Sequence, residues 1–250
     1  MGKYTGVLLC SDFDGTLFDG KVIPEENIKA IKYFRENGGL FSVVSGRNPE
    51  FLVPFFEGYS FGVPVVSYNG AVLYDMDAGK LVSEHFMTGV TMDKLYTILH
   101  EIEGAYRFSF FNKSGVIRED IAKDGIIDPS RIENLYKFAV SVTGEEADFV
   151  AARDRITEIM EDCVAVRSYA NYIEVLNRGY TKGPSTHRLA KMVGADTLVC
   201  VGDYENDMDM VEQADIGYAV ENAIPALKAV ADRITVSVKD AAIARIIEEL

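Results

Sequence analysis

The 250-residue sequence lacks any apolar run approaching the roughly 20 residues that a membrane-spanning helix needs. The apolar stretch at residues 7–10 is too short for a secretory signal and is followed at once by acidic residues. Cysteine is scarce as well, and the chain has only Cys10, Cys163 and Cys200. Their odd number and the absence of a CxxC pair fit a reducing compartment. These absences predict a cytoplasmic protein with no membrane partner.

Basic residues are outnumbered, with 25 Lys and Arg against 39 Asp and Glu, for a formal net charge of −14. Nucleic-acid binding requires a basic face, so this balance predicts no nucleic-acid partner. An anionic substrate must therefore be attracted by local positive charge. His85, His100 and His187 show no metal-ligand spacing and are interpreted as structural or surface residues.

Both ends of the chain alternate apolar strands with amphipathic helices. Strands are predicted at residues 5–11, 40–44, 63–67, 197–202 and 216–220, and helices at about 24–37, 181–194, 206–214 and 225–231. Continuous apolar strands separated by helices are typical of an α/β fold, a Rossmann-like parallel sheet covered on both faces.

The middle of the chain has a different pattern. Helix-like segments at 91–102 and 145–161 accompany alternating, strand-like segments at 106–111, 164–168 and 172–176. This mixture predicts an inserted α+β domain with an antiparallel sheet. The predicted division is a discontinuous core, 1–84 and 178–250, and an insertion at 85–177. The aromatic run at 106–111 is interpreted as core or sheet packing in preference to a binding platform.

Acidic residues follow two of the predicted core strands directly. Asp12 and Asp14 end the first strand, and Asp203 and Asp207 follow the strand at 197–202. Parallel strands bring their carboxyl ends to one edge of a sheet, where ligands bind. A cluster of carboxylates is tolerable only around a cation, and an all-oxygen set suits Mg²⁺. Turn chemistry is the alternative, and it accounts for either motif alone but poorly for both at matching strand ends.

Groups suited to phosphate follow other predicted elements. Ser45, Gly46 and Arg47 come directly after the strand at 40–44, and Lys182 lies at the start of a helix, whose N-terminus favours anions. A hydroxyl, two cationic side chains and a helix N-terminus beside a Mg²⁺ site form a phosphate-binding set. Taken singly, each side chain also has an ordinary explanation as a turn, cap or solvated surface residue.

Four motifs occur in one order along the chain: DFDGTL at 12–17, SGR at 45–47, the Lys182–Gly183 pair, and GDYENDMDM at 202–210. Together they resemble the motifs of the haloacid dehalogenase-like phosphatases, over nearly the whole chain. SYNGA at 67–71, with the insertion between the second and third motifs, resembles the Cof-type branch. The resemblance implies a Rossmann-like core with an inserted α/β cap that selects the substrate.

The resemblance also implies catalytic roles. Asp12 would be the nucleophile that attacks phosphorus and forms an aspartyl-phosphate. Asp14 would protonate the leaving group and then deprotonate the attacking water. Ser45 and Lys182 would hold the phosphoryl oxygens as charge shifts in the transition state.

A metal site is implied by the same resemblance. Mg²⁺ would be held by Asp12, the main-chain carbonyl of Asp14 and Asp203, with Asp207 supporting it. Asn206 would contact the phosphoryl group. Asp19, beyond the motif, is interpreted as a turn residue.

The predicted function is Mg²⁺-dependent hydrolysis of small phosphorylated metabolites, sugar phosphates first, by a monomer or small homo-oligomer. Two alternatives remain open. A phosphomutase of the same superfamily would return the phosphoryl group to the substrate. A phospho-accepting signalling module would accept a phosphoryl group without turning over. Such modules are shorter than this chain and lack an acid two residues after the acceptor aspartate, and both features speak against this alternative.

Overall fold

The computed structural model describes residues 2–120, 125–169 and 171–250. Its β-strands are β1 Val7–Asp12, β2 Leu40–Val44, β3 Val65–Ser67, β4 Val72–Asp75, β5 Lys80–Glu84, β6 Ala105–Asn112, β7 Gly115–Asp120, β8 Leu135–Val142, β9 Cys163–Tyr169, β10 Tyr172–Asn177, β11 Thr197–Gly202, β12 Ile216–Ala219 and β13 Arg233–Ile234. Its α-helices are α1 Glu25–Glu36, α2 Pro49–Leu52, α3 Met92–Glu101, α4 Glu146–Ile159, α5 Lys182–Val193, α6 Met208–Gln213, α7 Pro225–Val230 and α8 Ala242–Glu249. Short 3₁₀ turns occur at Val53–Phe56, Tyr68–Gly70, Pro129–Ile132, Glu205–Asp207 and Val238–Asp240.

The chain forms two compact units. The first unit comprises Met1–Glu84 and Thr181–Leu250, and the second unit comprises His85–Tyr180. None of the helices in the described ranges is long and apolar enough to cross a membrane.

The first unit is built on an eight-stranded sheet with the order β13-β12-β11-β1-β2-β3-β4-β5. The strands from β13 to β3 are parallel, and β4 and β5 are antiparallel to their neighbours. The prediction of a parallel sheet is confirmed for the five predicted strands, and β4 and β5, which were not predicted, add an antiparallel edge. A tight turn joins β4 to β5: the Asp75 carboxylate accepts a hydrogen bond from the Ala78 N–H, and Gly79 adopts a φ of +61°.

The core strands are buried because both faces of the sheet are covered. Leu9 of β1 packs in one cluster with Phe34 of α1 and Ile246 of α8. Its neighbours in sequence, Leu8 and Cys10, point to the other face and pack with residues of α5 and α6. Successive strand residues alternate faces, so a run that is apolar throughout is what a doubly covered sheet requires.

All five predicted core strands form, and most predicted helices do as well. Helix α5 begins at Lys182 and ends at Gly194, which takes the left-handed conformation with φ +67° that glycine tolerates best. The helix predicted at 206–214 is correct only from Met208, because a 3₁₀ turn precedes it. Helix α8, which covers one face of the sheet, was not predicted.

Strand register fixes where the acidic residues meet. Ser11 of β1 lies opposite Val201 of β11, and Asp12 lies opposite Val44 of β2. The carboxyl ends of these three central strands therefore lie at the same edge of the sheet. The residues that follow them leave the sheet side by side.

The second unit contains a five-stranded antiparallel sheet with the order β7-β6-β8-β10-β9. The predicted strands and helices of this region are confirmed, whereas β7 and β8 were not predicted. Phe108 and Phe110 of β6 pack against α3 and α4 in a buried cluster, which confirms core packing for the aromatic run. In β8 a buried Lys137 pairs with Glu174 of β10, so a charge interrupts the apolar pattern.

Candidate active site

The loop after β1 is shaped by a tight turn. The Phe13 carbonyl accepts hydrogen bonds from the N–H groups of Leu17 and Phe18. Gly15 within this turn has a φ of +87°, and a Cβ at this position would lie 2.4 Å from Asp203 Oδ2. Any larger residue would strain the backbone and collide with Asp203. The glycine of DFDGTL therefore lets the two acidic loops approach each other.

Three carboxylates converge where these loops meet. Asp12, Asp203 and Asp207 each contribute an oxygen, and these oxygens all lie within 4.8 Å of one another. Asp12 is only 5% exposed and Asp207 is fully buried. Asp203 is partly buried and accepts a 3.4 Å hydrogen bond from the Thr16 hydroxyl. Like charges held so close and out of water repel each other strongly.

Lys182 is the protein cation in this cluster. Its ammonium group is fully buried and donates to Asp12 Oδ1 at 2.6 Å and to Asp207 Oδ1 at 2.5 Å. Both pairs are charge-assisted and shielded from solvent, which makes them stronger than surface ion pairs. Lys182, which was predicted to be near the phosphate, therefore also connects α5 to the end of β1 and to the 3₁₀ turn that follows β11.

The pKa values of the cluster reflect burial and crowding. Burial, and then the nearby Asp207, raise the pKa of Asp12 well above its ordinary value. The same two causes raise the pKa of Asp203 to about 7. Burial on its own would lower the pKa of Lys182, but Asp12 and Asp207 more than offset this and raise it. Asp12 and Asp203 thus resist ionisation in the metal-free fold, while the lysine keeps its proton.

One ammonium group does not balance three carboxylates. When its three carboxyl groups are ionised the cluster has a surplus of negative charge, and within the described part of the chain it is the group of side chains suited to a metal ion. An all-oxygen donor set of this kind fits a hard divalent cation such as Mg²⁺. The residues present therefore fit the metal that the sequence predicts.

Asp207 is held by three protein donors. Besides the Lys182 ammonium on Oδ1, its Oδ2 accepts hydrogen bonds from the N–H groups of Asp203 and Tyr204, at 3.0 and 3.1 Å. These bonds fix the turn that presents Asp203. Asp207 therefore shapes the site as well as adding charge to it.

Asn69, which contacts Ser45, is a site residue that the sequence analysis did not predict. Ser45 is 1% exposed, and its carbonyl accepts a 2.9 Å hydrogen bond from the Asn69 N–H. Asn69 is fully buried in a left-handed conformation with φ +56°, and its side-chain oxygen accepts from the Asn206 amide at 3.3 Å. Asparagine is among the few residues that tolerate this backbone conformation. The Asn-Gly pair at 69–70 was the available signal for a turn with a specific role.

Arg47 forms an ion pair with Asp14, the second acidic residue of the first motif. Its guanidinium donates from Nε to Asp14 Oδ2 at 2.9 Å and from Nη2 to Asp14 Oδ1 at 3.0 Å. Arg47 also packs over the Phe51 ring, and its N–H donates to the Ser45 hydroxyl at 3.1 Å. Gly46 separates Ser45 and Arg47 in the turn after β2. The structure thus places Arg47 with Asp14, a pairing that the sequence did not predict.

Asp19 is separate from this cluster. Its carboxylate oxygen accepts hydrogen bonds from the N–H groups of Lys21 and Val22, both at 2.8 Å. This is the bonding pattern of an Asx turn. The interpretation of Asp19 as a turn residue is confirmed.

The surplus charge predicts a metal-dependent gain in stability. Mg²⁺ should raise the melting temperature of the protein, because a ligand that binds only the folded state stabilises it. Replacing Asp203 by asparagine should remove most of this shift, whereas Asp154→Asn, an exposed change on α4, should leave it unchanged. Differential scanning fluorimetry with increasing MgCl₂ measures both. An equal shift in the two variants would show that Mg²⁺ binds elsewhere.

The stability of the metal-free protein and the shift that Mg²⁺ produces should both depend on pH. The pKa of Asp203 is about 7 in the metal-free fold against 3.8 as its ordinary value, so the folded state binds the extra proton between these values. The metal-free wild type should therefore gain stability relative to Asp203→Asn as pH falls from 7 towards 4. Protons compete with Mg²⁺ for the carboxylate, so the Mg²⁺-induced shift should shrink over the same range.

Known proteins share both the sequence pattern and the fold. Residues 9–247 match the family described as haloacid dehalogenase-like hydrolases. A 5-amino-6-(5-phospho-D-ribitylamino)uracil phosphatase of Bacillus subtilis is 22% identical over 97% of this chain and 96% of its own length. A pyridoxal phosphate phosphatase of Escherichia coli is 25% identical over 89% and 90%. Among solved structures, a subclass IIB sugar phosphatase superposes with a TM-score of 0.79 at 17% identity, covering 97% of this chain and 98% of that one.

Proposed function

Because the chain belongs to the haloacid dehalogenase-like hydrolases and related proteins are named phosphatases, we propose that it is a phosphatase that hydrolyses small phosphomonoesters through an aspartyl-phosphate on Asp12. The observation that carries the proposal is the buried cluster of Asp12, Asp203, Asp207 and Lys182 at the carboxyl edge of the sheet. A nucleophilic carboxylate, a fixed cation and a surplus of acidic oxygens are what phosphoryl transfer at an aspartate needs.

In the first step, a carboxylate oxygen of Asp12 attacks phosphorus. The new oxygen–phosphorus bond forms as the bond to the ester oxygen breaks, and the departing alkoxide takes a proton from the Asp14 carboxyl group. The hydrogen bond from Lys182 to Asp12 Oδ1 fixes the orientation of the nucleophile. Asp12 Oδ2, the oxygen that Lys182 does not hold, would be the attacking atom.

In the second step, water removes the phosphoryl group. Asp14, now ionised, takes a proton from the water, whose oxygen attacks phosphorus and displaces the Asp12 carboxylate. Inorganic phosphate leaves, and Asp14 again carries the proton that the first step requires. One residue thus acts as acid and then as base, which explains why the motif places two carboxylates one residue apart.

Other residues would stabilise the transferring group. Mg²⁺ bound by the Asp12 and Asp203 carboxylates and the Asp14 main-chain carbonyl would offset the charge between nucleophile and phosphate. The ammonium of Lys182, the hydroxyl of Ser45 and the amide of Asn206 would donate hydrogen bonds to phosphoryl oxygens. Asn69 accepts from the Asn206 amide and so fixes its orientation.

We assign substrate choice to the second unit, His85–Tyr180. Sugar phosphates are the first candidates and phosphorylated cofactors the next, in line with the substrates for which the related phosphatases are named. A phosphate-release screen with Mg²⁺ over sugar phosphates, pyridoxal phosphate, nucleotides and a phosphopeptide tests the proposal. A sugar or cofactor phosphate should have the highest kcat/KM, and the highest value for the phosphopeptide would contradict it.

The proposed role of the second unit has its own test. Replacing residues 85–177 by a short linker should raise KM for the best metabolite far more than KM for an aryl phosphate. The reason is that contacts to the leaving group are lost, whereas the proposed catalytic residues of the first unit are kept. Equal effects on both substrates would mean that the insertion only supports the fold.

The role of Asp14 predicts a dependence on the leaving group. Asp14→Asn should lower kcat for alkyl phosphates by about 10²–10⁴, the range typical of a lost general acid. The loss should be smaller for nitrophenyl phosphate, whose leaving group needs little protonation. Steady-state rates on the two ester types measure the difference, and equal losses would show that Asp14 is not the acid.

A phosphomutase is the alternative that shares these residues. It would transfer the phosphoryl group back to a second hydroxyl of the sugar, so sugar phosphates would interconvert without release of phosphate. Following a single sugar phosphate for both isomer and free phosphate separates the two functions. Steady phosphate release also excludes a phospho-accepting signalling module, which would stop after one transfer.

A further inference from the structure

Asp14 cannot act as an acid in the arrangement that the structure shows. Both of its carboxylate oxygens accept hydrogen bonds from the Arg47 guanidinium, at 2.9 and 3.0 Å. A general acid must present one carboxyl oxygen, with its proton, to the ester oxygen of the substrate. Arg47 therefore has to leave Asp14 before the first chemical step.

The main chain of Arg47 is anchored next to the proposed phosphate site. Its N–H donates to the Ser45 hydroxyl at 3.1 Å, and its carbonyl accepts from the Tyr68 N–H at 3.1 Å. The guanidinium lies over the Phe51 ring, 4.2 Å from the ring centre. With its main chain fixed in this way, Arg47 changes partner through its side-chain torsions.

The pair between Arg47 and Asp14 is also easy to break. The two side chains are 47% and 41% exposed. Ion pairs in contact with solvent contribute little to stability, in contrast to the buried pairs of Lys182. A phosphoryl dianion carries more charge than a carboxylate and matches the two-pronged geometry of guanidinium equally well. It is therefore a stronger competitor for Arg47 than Asp14 is.

We propose that Arg47 is a latch on Asp14 that the phosphoryl group of the substrate opens. This inference rests on the proposed function. The phosphoryl group takes over the guanidinium, and the freed Asp14 carboxylate takes a proton from solvent water, which it then donates to the leaving group. The aspartyl-phosphate keeps the latch open for the second step, because its phosphoryl group still holds Arg47. When phosphate departs, Asp14 gives its proton to solvent water and its carboxylate pairs with Arg47 again.

The latch predicts a competition that binding measurements detect. With Mg²⁺ present, inorganic phosphate should bind Asp14→Asn more tightly than the wild type, by up to about fivefold, the factor that an exposed ion pair represents. Arg47→Gln should bind phosphate more weakly than the wild type. In the Arg47→Gln background, Asp14→Asn should give no further gain, because the competition for Arg47 no longer exists.

Isothermal titration calorimetry of the four proteins with inorganic phosphate and Mg²⁺ gives the full cycle. An equal gain from Asp14→Asn in both backgrounds would mean that the carboxylate only repels phosphate, and the latch would be wrong. Failure of the wild type to bind phosphate would overturn the proposed function itself. Both residues are half exposed, so melting temperatures of the variants near that of the wild type serve as the check on folding.

Kinetics distinguish the latch from simple orientation of Asp14. Arg47→Gln should raise KM by the same factor for alkyl and aryl phosphates and leave the ratio of their kcat values unchanged. Arg47→Lys, which keeps the charge but not the two-pronged geometry, should fall between the wild type and Arg47→Gln. A loss of kcat confined to alkyl phosphates would instead show that Arg47 only orients the acid.

Discussion

Replacing Asp12 by asparagine is expected to abolish turnover, with kcat lowered by roughly 10⁴ or more. An amide cannot form the acyl-phosphate bond. We expect no other group in the site to take over the role of the nucleophile. The fold should persist, because asparagine keeps the shape of the side chain and an oxygen that can accept from Lys182. Lys182 keeps its pair with Asp207 in this variant, and burial already raises the pKa of Asp12, so Asp12→Asn should destabilise the metal-free fold far less than the loss of Lys182 does.

Asp19→Asn is the matched control for this variant. It makes the same chemical change seven residues along the chain, in an exposed turn whose hydrogen bonds asparagine can also accept. Phosphate release from the best substrate should fall in Asp12→Asn and stay near the wild-type rate in Asp19→Asn. Appreciable turnover by Asp12→Asn would end the proposed mechanism.

Replacing Lys182 by methionine is expected to cost both stability and activity. The change leaves Asp12 and Asp207 buried without the cation that pairs with both. Breaking a buried pair by removing one partner typically lowers the free energy of unfolding by about 3–5 kcal/mol. Turnover should fall by at least the 10²–10³ or so that a single lost donor to a developing charge costs.

Two comparisons isolate the effect of Lys182. Lys191→Met makes the same change on the exposed face of α5 and should alter neither stability nor rate. Mg²⁺ should restore part of the stability that Lys182→Met loses, because it supplies positive charge to the same carboxylates. Urea denaturation with and without Mg²⁺ measures this, and a Lys182→Met protein as stable as Lys191→Met would show that the carboxylates are not coupled through the lysine.

The acidic centre of the site was predictable because it follows from sheet geometry. Two apolar strands that each end on an aspartate bring those aspartates together only if the strands are parallel neighbours. β1 and β11 are neighbours in register, with Ser11 opposite Val201. The alternation of strands and helices at both ends of the chain predicted the parallel sheet, and the meeting of the aspartates depended on both strands lying near its centre.

The remaining parts of the site depend on contacts between side chains, which spacing does not encode. The pairing of Arg47 with Asp14 joins residues 33 positions apart in sequence through two flexible side chains. Asn69 acts through a left-handed backbone conformation, and its signal is a short turn sequence of a kind that is common elsewhere. Neither contact follows from hydrophobic periodicity.

Parts of the fold were missed for a similar reason. The β4–β5 hairpin depends on the turn formed by Asp75 and Gly79, and β5 is too exposed to show an apolar run. In the second unit, β8 carries Lys137 within an otherwise apolar strand, where the charge is compensated by Glu174 from β10. Strands are recognised in a sequence by their pattern of apolar residues. A buried charged residue interrupts that pattern, so the strand is not detected.

Direct detection of the phosphorylated enzyme tests the central claim, that Asp12 carries the phosphoryl group. Asp14→Asn with nitrophenyl phosphate is the suitable system, because the first step needs little acid there while the second step lacks its base. Rapid acid quench followed by peptide mass mapping should show a phosphoryl group on Asp12, dependent on Mg²⁺ and absent from the Asp12→Asn/Asp14→Asn double variant. Nitrophenol release with no phosphoryl group on Asp12, or with one on another residue, would contradict the mechanism.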